Sequence, residues 1–421
     1  MDWRVLFSKL DNDFQRNMIR NRSLLHSWFL VRYDLSEFIK EEHWRPETVS
    51  NDFLASARRK LIPNNISLNS FATAFKCLFR KNRNLLFPHE RTSDLNGVDQ
   101  YLFLNIPEHY LECAVNFSKK RLEGALFFTL MSFFKFLTYP FLLIPVFFHA
   151  YLILVGYECA KLYFSKGFFI KVFLKLIRAK SDYLFYLFYL KIFRVSSIHF
   201  ADRSNKFPLL LAARKLNIPV HEYQHGLPVT GKWNYDFGIF NKYFFENLLI
   251  YTYYDVPAYL EELRSLGMRP VVCQGRVSRI FANRKTNPRI TQDNPMLSIL
   301  IVTQPELPVS LAVLKLVHTL TASGALVLIK PHPADFFSYG EHFGSETACV
   351  HILAKNSEAF YENLSMVDAV VGFHSTAVVE AFSAGVPSFL FRTDKLLSCR
   401  LQEIFLIPEV DDFDVCKKIL G

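Results

Sequence analysis

Two stretches decide the predicted fold: residues 325–333, which read ALVLIKPHP, and residues 369–380, which read AVVGFHSTAVVE. Each begins with a short apolar run rich in β-branched residues, the pattern of a buried strand. Each run ends at a polar loop, and the second loop leads into an apolar helical segment. Strands that alternate with helices predict a parallel sheet, which binds ligands beyond the carboxyl ends of its strands. We therefore expect a Rossmann-like α/β domain with a ligand site at these two loops.

The alternation of strands and helices continues on both sides of these stretches. We expect further strands at 198–200, 219–223, 248–253, 270–273, 298–302, 350–353 and 388–391, and an earlier one at 101–105. The segment 284–295 is polar and rich in Asn and Pro, which is typical of a linker. The sequence thus predicts a mixed, helical region at 1–97, one α/β domain at 98–283 and a second at 284–421.

An apolar insertion at 121–194 interrupts the first α/β domain. Residues 136–157 carry no formal charge and could span a bilayer by length. Pro140 and Pro145 should kink such a helix, and His149 lies within the run. A bent, half-inserted hairpin is as reasonable as a plain span.

Basic residues flank the insertion on both sides, which favours a monotopic arrangement over a crossing. Lys171, Lys175 and Arg178 share one helix face, as in helices that lie on anionic lipid. The alternative is an aromatic-rich hairpin packed inside the protein or across an oligomer interface.

The charge balance and the cysteines indicate the kind of partner and the cellular compartment. Lys and Arg number 49 against 39 Asp and Glu, a net charge of +10 that suits an anionic partner. The basic residues cluster beside apolar segments, so nucleic acid is not the expected partner. The seven cysteines are scattered singly, and the N-terminus lacks the apolar core of a signal peptide. We expect a reduced, cytoplasmic compartment.

The candidate ligand residues follow predicted strands. Ser375 and Thr376 lie at a helix start, where backbone N–H groups attract phosphate, and Glu380 lies one turn further, within reach of ribose hydroxyls. Two prolines stiffen the loop that presents Lys330 and His332, whereas Gly372 allows a sharp turn.

The first domain offers Gln224, His225 and Gly226 after one strand and Asp202 after a neighbouring strand, so a carboxylate and an imidazole could share a cleft. Glu222 is a competing carboxylate, although its place inside a strand favours a structural role. No pair of acidic residues near these loops suits a divalent metal ion.

The order and spacing of these loops resemble those of the GT-B glycosyltransferases of bacterial surface-polysaccharide assembly. The resemblance covers residues 195–392 and is nearest to capsule and lipopolysaccharide transferases that use CMP-activated acidic sugars such as Kdo or sialic acid. The CDP-glycerol glycerophosphotransferases show a related pattern. The loops that carry the resemblance are Gln224-His225-Gly226, Thr303-Gln304-Pro305, Lys330-Pro331-His332-Pro333, Ser375-Thr376, Glu380-Ala381 and Gly385-Val386-Pro387.

The resemblance implies two Rossmann-like domains that face a cleft, with the acceptor on the first domain, the nucleotide on the second, and neither metal nor cofactor. Asp202 and His225 would be catalytic, and Lys330 would neutralise the leaving phosphate. The predicted nucleotide-sugar site consists of Gln224, Gly226, Gln304, Lys330, His332, Pro333, Ser375, Thr376 and Glu380.

The leading hypothesis is therefore an enzyme, a glycosyltransferase at the cytoplasmic face of the inner membrane. It would move a sugar from a nucleotide-activated donor such as CMP-Kdo to a lipid-linked glycan in capsule or lipopolysaccharide synthesis. One alternative is a UDP-sugar 2-epimerase-like enzyme, which needs no lipid. Another is a non-catalytic membrane-bound scaffold of a polysaccharide assembly complex.

Overall fold

The structure of the protein is a computed structural model whose chain divides into two compact units, each built around a six-stranded sheet. The residues that it describes are 11, 23–32, 35, 83–88, 106, 108–111, 114–118, 121–155, 166–201, 206–224, 246, 248–252, 254–273, 296–304, 307–333, 335–343, 348–355, 357–373, 375–392, 402 and 405–410.

The first sheet has the strand order β2-β1-β3-β4-β5-β6, and the strands from β1 to β5 pair in parallel. Its strands are β1 (Asn84–Phe87), β2 (Ala114–Asn116), β3 (Ser197–Phe200), β4 (Val220–Tyr223), β5 (Leu248–Thr252) and β6 (Arg269–Val272). The helices that alternate with them along the chain are α1 (Glu108–Leu111), α2 (Leu122–Val155), α3 (Lys166–Ile192), α4 (Phe207–Lys215) and α5 (Pro257–Ser265).

The first sheet begins before the predicted domain boundary at residue 97. Its strand β1, at Asn84–Phe87, lies between β2 and β3 and pairs with both. The predicted mixed region 1–97 therefore contributes a central strand to the α/β domain. The strand predicted at 101–105 and the linker predicted at 284–295 lie outside the described residues.

The second sheet has the strand order β12-β11-β10-β7-β8-β9, and all of its neighbouring strands pair in parallel. Its strands are β7 (Ser298–Val302), β8 (Leu326–Lys330), β9 (Val350–Ile352), β10 (Ala369–Gly372), β11 (Ser388–Phe391) and β12 (Glu409–Val410). Its helices are α6 (Leu307–Ala322), α7 (Tyr339–Phe343), α8 (Ser357–Leu364) and α9 (Thr376–Ser383).

The core of the second unit explains why these segments form a sheet covered by helices. Ile299 and Ile301 of β7 and Val327 of β8 are buried against Val313 and Leu316 of α6 in one apolar cluster. Strands that are covered in this way need apolar side chains along their whole length, which is why β7 reads SILIV. The strands predicted from such runs in this half of the chain are confirmed within one residue at each end.

The apolar insertion forms two long helices that lie side by side, α2 and α3. A single helix runs through both Pro140 and Pro145. At its start, a Cβ atom on Gly124 would collide with the carbonyl oxygen of Ser118, so α2 lies directly against the backbone that follows β2. The start of the insertion is therefore packed closely against the first sheet.

Aromatic and imidazole rings form a buried layer on one face of the first sheet. The rings of His199 on β3 and His221 on β4 stack with centroids 4.4 Å apart, and Tyr110 of α1 contacts both. His199 Nε2 lies 2.7 Å from Ser197 Oγ, and His221 Nδ1 lies 3.0 Å from the Tyr251 hydroxyl. Burial, and then the neighbouring histidines His221 and His109, lower the pKa of His199 to about 3. Burial, and then His109, lower the pKa of His221 to about 4, so both rings are neutral near pH 7.

Candidate functional site

The predicted ligand loops of the second unit meet at the point where its strand order reverses. β8 and β9 lie on one side of β7, whereas β10, β11 and β12 lie on the other. The connections after β7 and β10 therefore diverge, and in open α/β sheets the region between two such connections, beyond the carboxyl ends of the strands, is the usual ligand crevice. Val302 is level with Lys330 of β8 and with Gly372 of β10, so three loops begin at the same height.

The N-terminus of α9 lies at this crevice. Ser375 has extended backbone geometry, and its Oγ accepts a hydrogen bond from the backbone N–H of Ala377 at 3.2 Å. Thr376, the first residue of the helix, is half-buried. The N–H groups of the first turn and the helix dipole make this end favourable for an anion.

Gly372 is needed at this position because there is no room for a side chain. A Cβ atom on it would lie 2.5 Å from Val302 Cγ2 and still closer to Val378 Cγ2. The sequence predicted a glycine for a sharp turn, but Gly372 lies within β10 and is not among the glycines with positive φ. Its missing side chain instead lets α9 pack tightly against β7.

Lys330, the last residue of β8, is buried, with 6% of its surface exposed. Its Nζ donates to the carbonyl oxygens of Pro331 at 2.8 Å and Lys355 at 3.2 Å. An ammonium has three N–H donors, so these two carbonyls leave one for a ligand. Burial lowers the pKa of Lys330 to about 8.

Thr303 connects the end of β7 to the loop after β8. Its Oγ1 accepts the backbone N–H of His332 at 3.0 Å and donates to Asp335 Oδ2 at 2.7 Å. The Asp335 carboxylate also accepts from the Tyr339 hydroxyl at 3.0 Å and from the backbone N–H of Phe337 at 3.0 Å. These bonds fix the backbone of His332 beside the crevice.

Glu380 is held by a neighbouring helix. It lies on α9 with 9% of its surface exposed, and its Oε2 accepts from the Tyr361 hydroxyl of α8 at 2.9 Å. A carboxylate has room for several donors, so this bond orients Glu380 without using up its acceptor capacity.

The remaining predicted site residues are distributed unevenly. Gln304 is half-buried after β7, and Pro333 is exposed in the loop after β8. Gln224, in the first unit, is fully buried after β4, and its backbone N–H donates to Tyr251 O at 2.9 Å. Asp202, His225 and Gly226 lie outside the described residues, so their roles stay predictions. Glu222 is buried within β4, as expected for a structural residue.

Sequence reasoning missed the residues that support this site. Asp335 and Tyr339 lie in the segment after Pro333 that carried no recognisable pattern, and Tyr361 is an ordinary aromatic on α8. Asp335 is nearly fully buried. The available signal was Asp335 itself, an acidic residue two positions after Pro333. If such a carboxylate is buried, it needs several hydrogen-bond donors around it.

No group of three or more potential metal-ligating side chains occurs within the part of the chain that the structure describes. The predicted absence of a metal ion stays a prediction. The described site is built instead from a helix N-terminus, a buried lysine and a loop fixed by Thr303 and Asp335.

Comparison with known proteins finds likeness in structure only. No protein-family model and no curated protein matches the sequence. Similar solved structures include the glycosyltransferase SnogD of Streptomyces nogalater, with 13% identity and a TM-score of 0.43 over 81% of this chain and 91% of that chain.

MurG of Acinetobacter baumannii has 15% identity and a TM-score of 0.38 over 58% of this chain and 68% of that chain. The UDP-GlcNAc 2-epimerase of Methanocaldococcus jannaschii has 12% identity and a TM-score of 0.39 over 58% of this chain and 73% of that chain. The predicted fold class, two parallel-sheet α/β domains with an apolar helical insertion, is confirmed by the two sheets and by α2.

Proposed function

We propose that this protein is a glycosyltransferase that uses a nucleotide-activated sugar. The observation that carries the proposal is the convergence of three polar loops at the reversal point of the second sheet, after β7, β8 and β10. The resemblance of the same loops to those of surface-polysaccharide transferases supports it. A nucleotide phosphate fits the N-terminus of α9.

In this proposal the crevice holds the donor. Ser375 and Thr376 bind the phosphate, His332 and Lys330 supply polar and cationic donors, and Glu380 accepts from the ribose. Gln304 and Pro333 line the adjoining loops. The donor is a CMP-sugar such as CMP-Kdo, and a buried lysine beside the phosphate stabilises the charge that develops on the departing CMP.

The first unit binds the acceptor and contributes the catalytic pair. Asp202 acts as base or nucleophile and His225 assists, while Gln224 and Gly226, its neighbours in the sequence, belong to the proposed nucleotide-sugar site. A cavity of about 220 Å³ lies beside β2 and the start of α2, lined by residues that include Arg121 and Glu123. Its position at the N-terminus of α2 suits the polar head of a lipid-linked glycan.

We place the enzyme at the cytoplasmic face of the inner membrane, in capsule or lipopolysaccharide synthesis. The outer face of α2 supports this placement, since Phe136, Phe141 and Ile144 are 76%, 82% and 71% exposed. Exposed apolar patches of this extent mark interaction surfaces.

The test is a thermal-shift series of the full-length protein with CMP, UDP, GDP and CDP, because a ligand that binds the folded state raises its melting temperature. We expect CMP to give the largest shift. The double variant S375A/T376A should lose most of it, whereas T319A, at a half-buried position of α6 outside the proposed site, should keep it.

Each other outcome has a definite meaning. A shift with UDP and none with CMP would overturn the proposed CMP-sugar donor. A shift with CMP in a protein that transfers no sugar would favour the scaffold. If sugar transfer survives both D202A and H225A, the proposed catalytic pair is wrong.

A further inference from the structure

The two helices of the apolar insertion run antiparallel. Residues near the start of α2 contact residues near the end of α3, and residues near the end of α2 contact residues near the start of α3. Phe127 contacts Tyr189 at 4.9 Å between ring centroids, the Lys135 and Asp182 side chains pair at 2.7 Å, and Phe147 contacts Phe169 at 5.4 Å. The insertion is therefore a helical hairpin, which leaves the first sheet and returns to it.

Both ends of this hairpin are tied to one sheet. α2 begins at Leu122, shortly after β2, and α3 ends at Ile192, shortly before β3. β2 and β3 are both partners of β1. Because a single folded sheet lies on one side of a membrane, the two ends of the hairpin must lie on that same side. A single crossing by α2 alone is thereby excluded.

The outer face of α2 is apolar over a long distance. The exposed large side chains run from Phe133 to Leu152, a length of about 30 Å at 1.5 Å per residue. Residues 136–157 carry no formal charge. α2 is the one helix, among the described residues, that is long and apolar enough to cross a membrane, and only 17% of its most apolar stretch is buried.

Polar side chains in and beside the apolar stretch of α2 have partners on α3 or in the segment 23–32. Lys135 pairs with Asp182, and Thr138 Oγ1 lies 2.6 Å from Ser181 Oγ. His149 Nδ1 lies 2.7 Å from Ser27 Oγ in the helical segment 23–32. Paired polar groups can lie beside lipid at much lower cost than unpaired ones. The outer face of α2 is thus free of their charge.

α3 cannot accompany α2 across a bilayer. Its half beside the apolar stretch of α2 carries Lys171, Lys175 and Arg178, of which Lys171 and Arg178 are exposed. A spanning hairpin would bring these cations to the depth of the hydrocarbon, where each costs several kcal/mol, roughly 2.5–3.5 on insertion scales. At the level of anionic head groups the same cations are favourable.

We infer that the α2–α3 hairpin is a monotopic membrane anchor that lies along one leaflet, with the outer face of α2 in the acyl region and the basic face of α3 at the head groups. The inference rests on the proposed membrane association and gives it an orientation. The occupant of the apolar face is an anionic lipid surface. Its length, its lack of charge and the adjoining cations favour lipid over a second copy of the chain.

The first experiment tests binding to the surface. Full-length protein is floated with vesicles that contain phosphatidylglycerol, and F141D/I144D is compared with wild type. We expect the double variant to bind about tenfold more weakly or worse. The matched control is L311D, which places the same charge at an exposed leucine of α6. It should bind like wild type, and an equal loss in L311D would overturn the assignment of the surface.

The second experiment measures depth. Phe133, Phe141 and Leu152 are replaced one at a time by Trp, and quenching by phospholipids brominated at shallow or deep acyl positions is compared with that of the parent, which has four tryptophans. A hairpin that lies along the leaflet gives all three sites the same shallow depth, roughly 5–10 Å into the boundary. A profile that is deepest at Phe141 and shallow at both ends would show a spanning hairpin and overturn the inference.

The outcomes separate the inference from the proposed function. If wild-type protein does not float and instead forms a dimer that F141D/I144D disrupts, the face is an interface between copies. In that case the membrane proposal fails together with the anchor, while the shift caused by CMP is unaffected. If the protein floats but the depth profile is that of a span, the membrane proposal stands and the monotopic anchor fails.

Discussion

The Thr303 hydroxyl donates to Asp335 Oδ2 across 2.7 Å and so connects the end of β7 with the loop that follows β8. Because the same hydroxyl accepts the backbone N–H of His332, two neighbouring loops depend on one oxygen atom. The position of His332 is thus set by residues that need not touch a ligand.

We expect T303V to lower the free energy of unfolding by about 1–3 kcal/mol, because the His332 N–H loses its hydrogen bond to Thr303 Oγ1 and the buried Asp335 carboxylate loses one of its donors. The melting-temperature shift caused by CMP should fall as well. T303S keeps the hydroxyl and should restore both quantities. A T303V protein with unchanged stability and an unchanged CMP shift would refute this role of Thr303.

Replacing Gly372 by alanine should destabilise the second unit by about 1–3 kcal/mol, the usual cost of overpacking. The added methyl group would collide with Val302 and Val378. The control is G340A on α7, where the nearest atom to a new Cβ would be Ile352 Cδ1 at an ordinary 3.7 Å. Chemical denaturation of both variants gives the comparison, and equal stability of the two would contradict the steric argument.

Binding of CMP should weaken as the pH rises above about 8, where Lys330 loses its proton. The protonated ammonium attracts phosphate, so affinity is highest below this pH. K330R keeps the charge and should remove the decline, whereas K315M, at an exposed lysine of α6, should leave it unchanged. Titration calorimetry from pH 7 to 9.5 tests this, and an identical decline in K330R would assign it to another group.

The buried histidines should make the protein less stable as the pH falls below about 6.5. Unfolded histidine takes up a proton near that pH, whereas folded His199 and His221 do so only near 3 and 4. The stabilisation is therefore complete above pH 6.5 and is lost progressively as the pH drops through this window. The measurement is urea unfolding between pH 4.5 and 7.5.

A variant separates this effect from general acid sensitivity. H221Q should flatten the dependence of stability on pH, while H351Q, at an exposed histidine of β9, should keep the slope of wild type. Parallel slopes in all three proteins would mean that His221 does not contribute.

Three strands of the second sheet, β7, β8 and β10, could be predicted because each is a buried apolar run that contains Val or Ile and ends at a polar loop. β1 could not, since NLLF lies in a stretch rich in charged residues and is followed directly by Pro88. Its strand conformation depends on pairing with β2 and β3, which are distant in the sequence. Local pattern carries no information about such pairing.

The loops of the candidate site could be predicted from the sequence, but the residues that hold those loops in place could not. Lys330, His332, Ser375 and Thr376 follow strands and were identified for that reason. Asp335 acts through Thr303, which lies 32 positions away. Likewise, the ion pair of Lys135 with Asp182 could not be predicted, because Asp182 belongs to the returning helix.

The contact of Gly124 with Ser118 has a mechanical consequence. Since α2 begins against the backbone that follows β2, with no space for even a methyl group, close packing sets the orientation of α2 relative to β2. A hairpin held in a leaflet would then fix the tilt of the first sheet above the lipid. Membrane binding would then set the orientation of the first sheet relative to the bilayer, in addition to localising the protein.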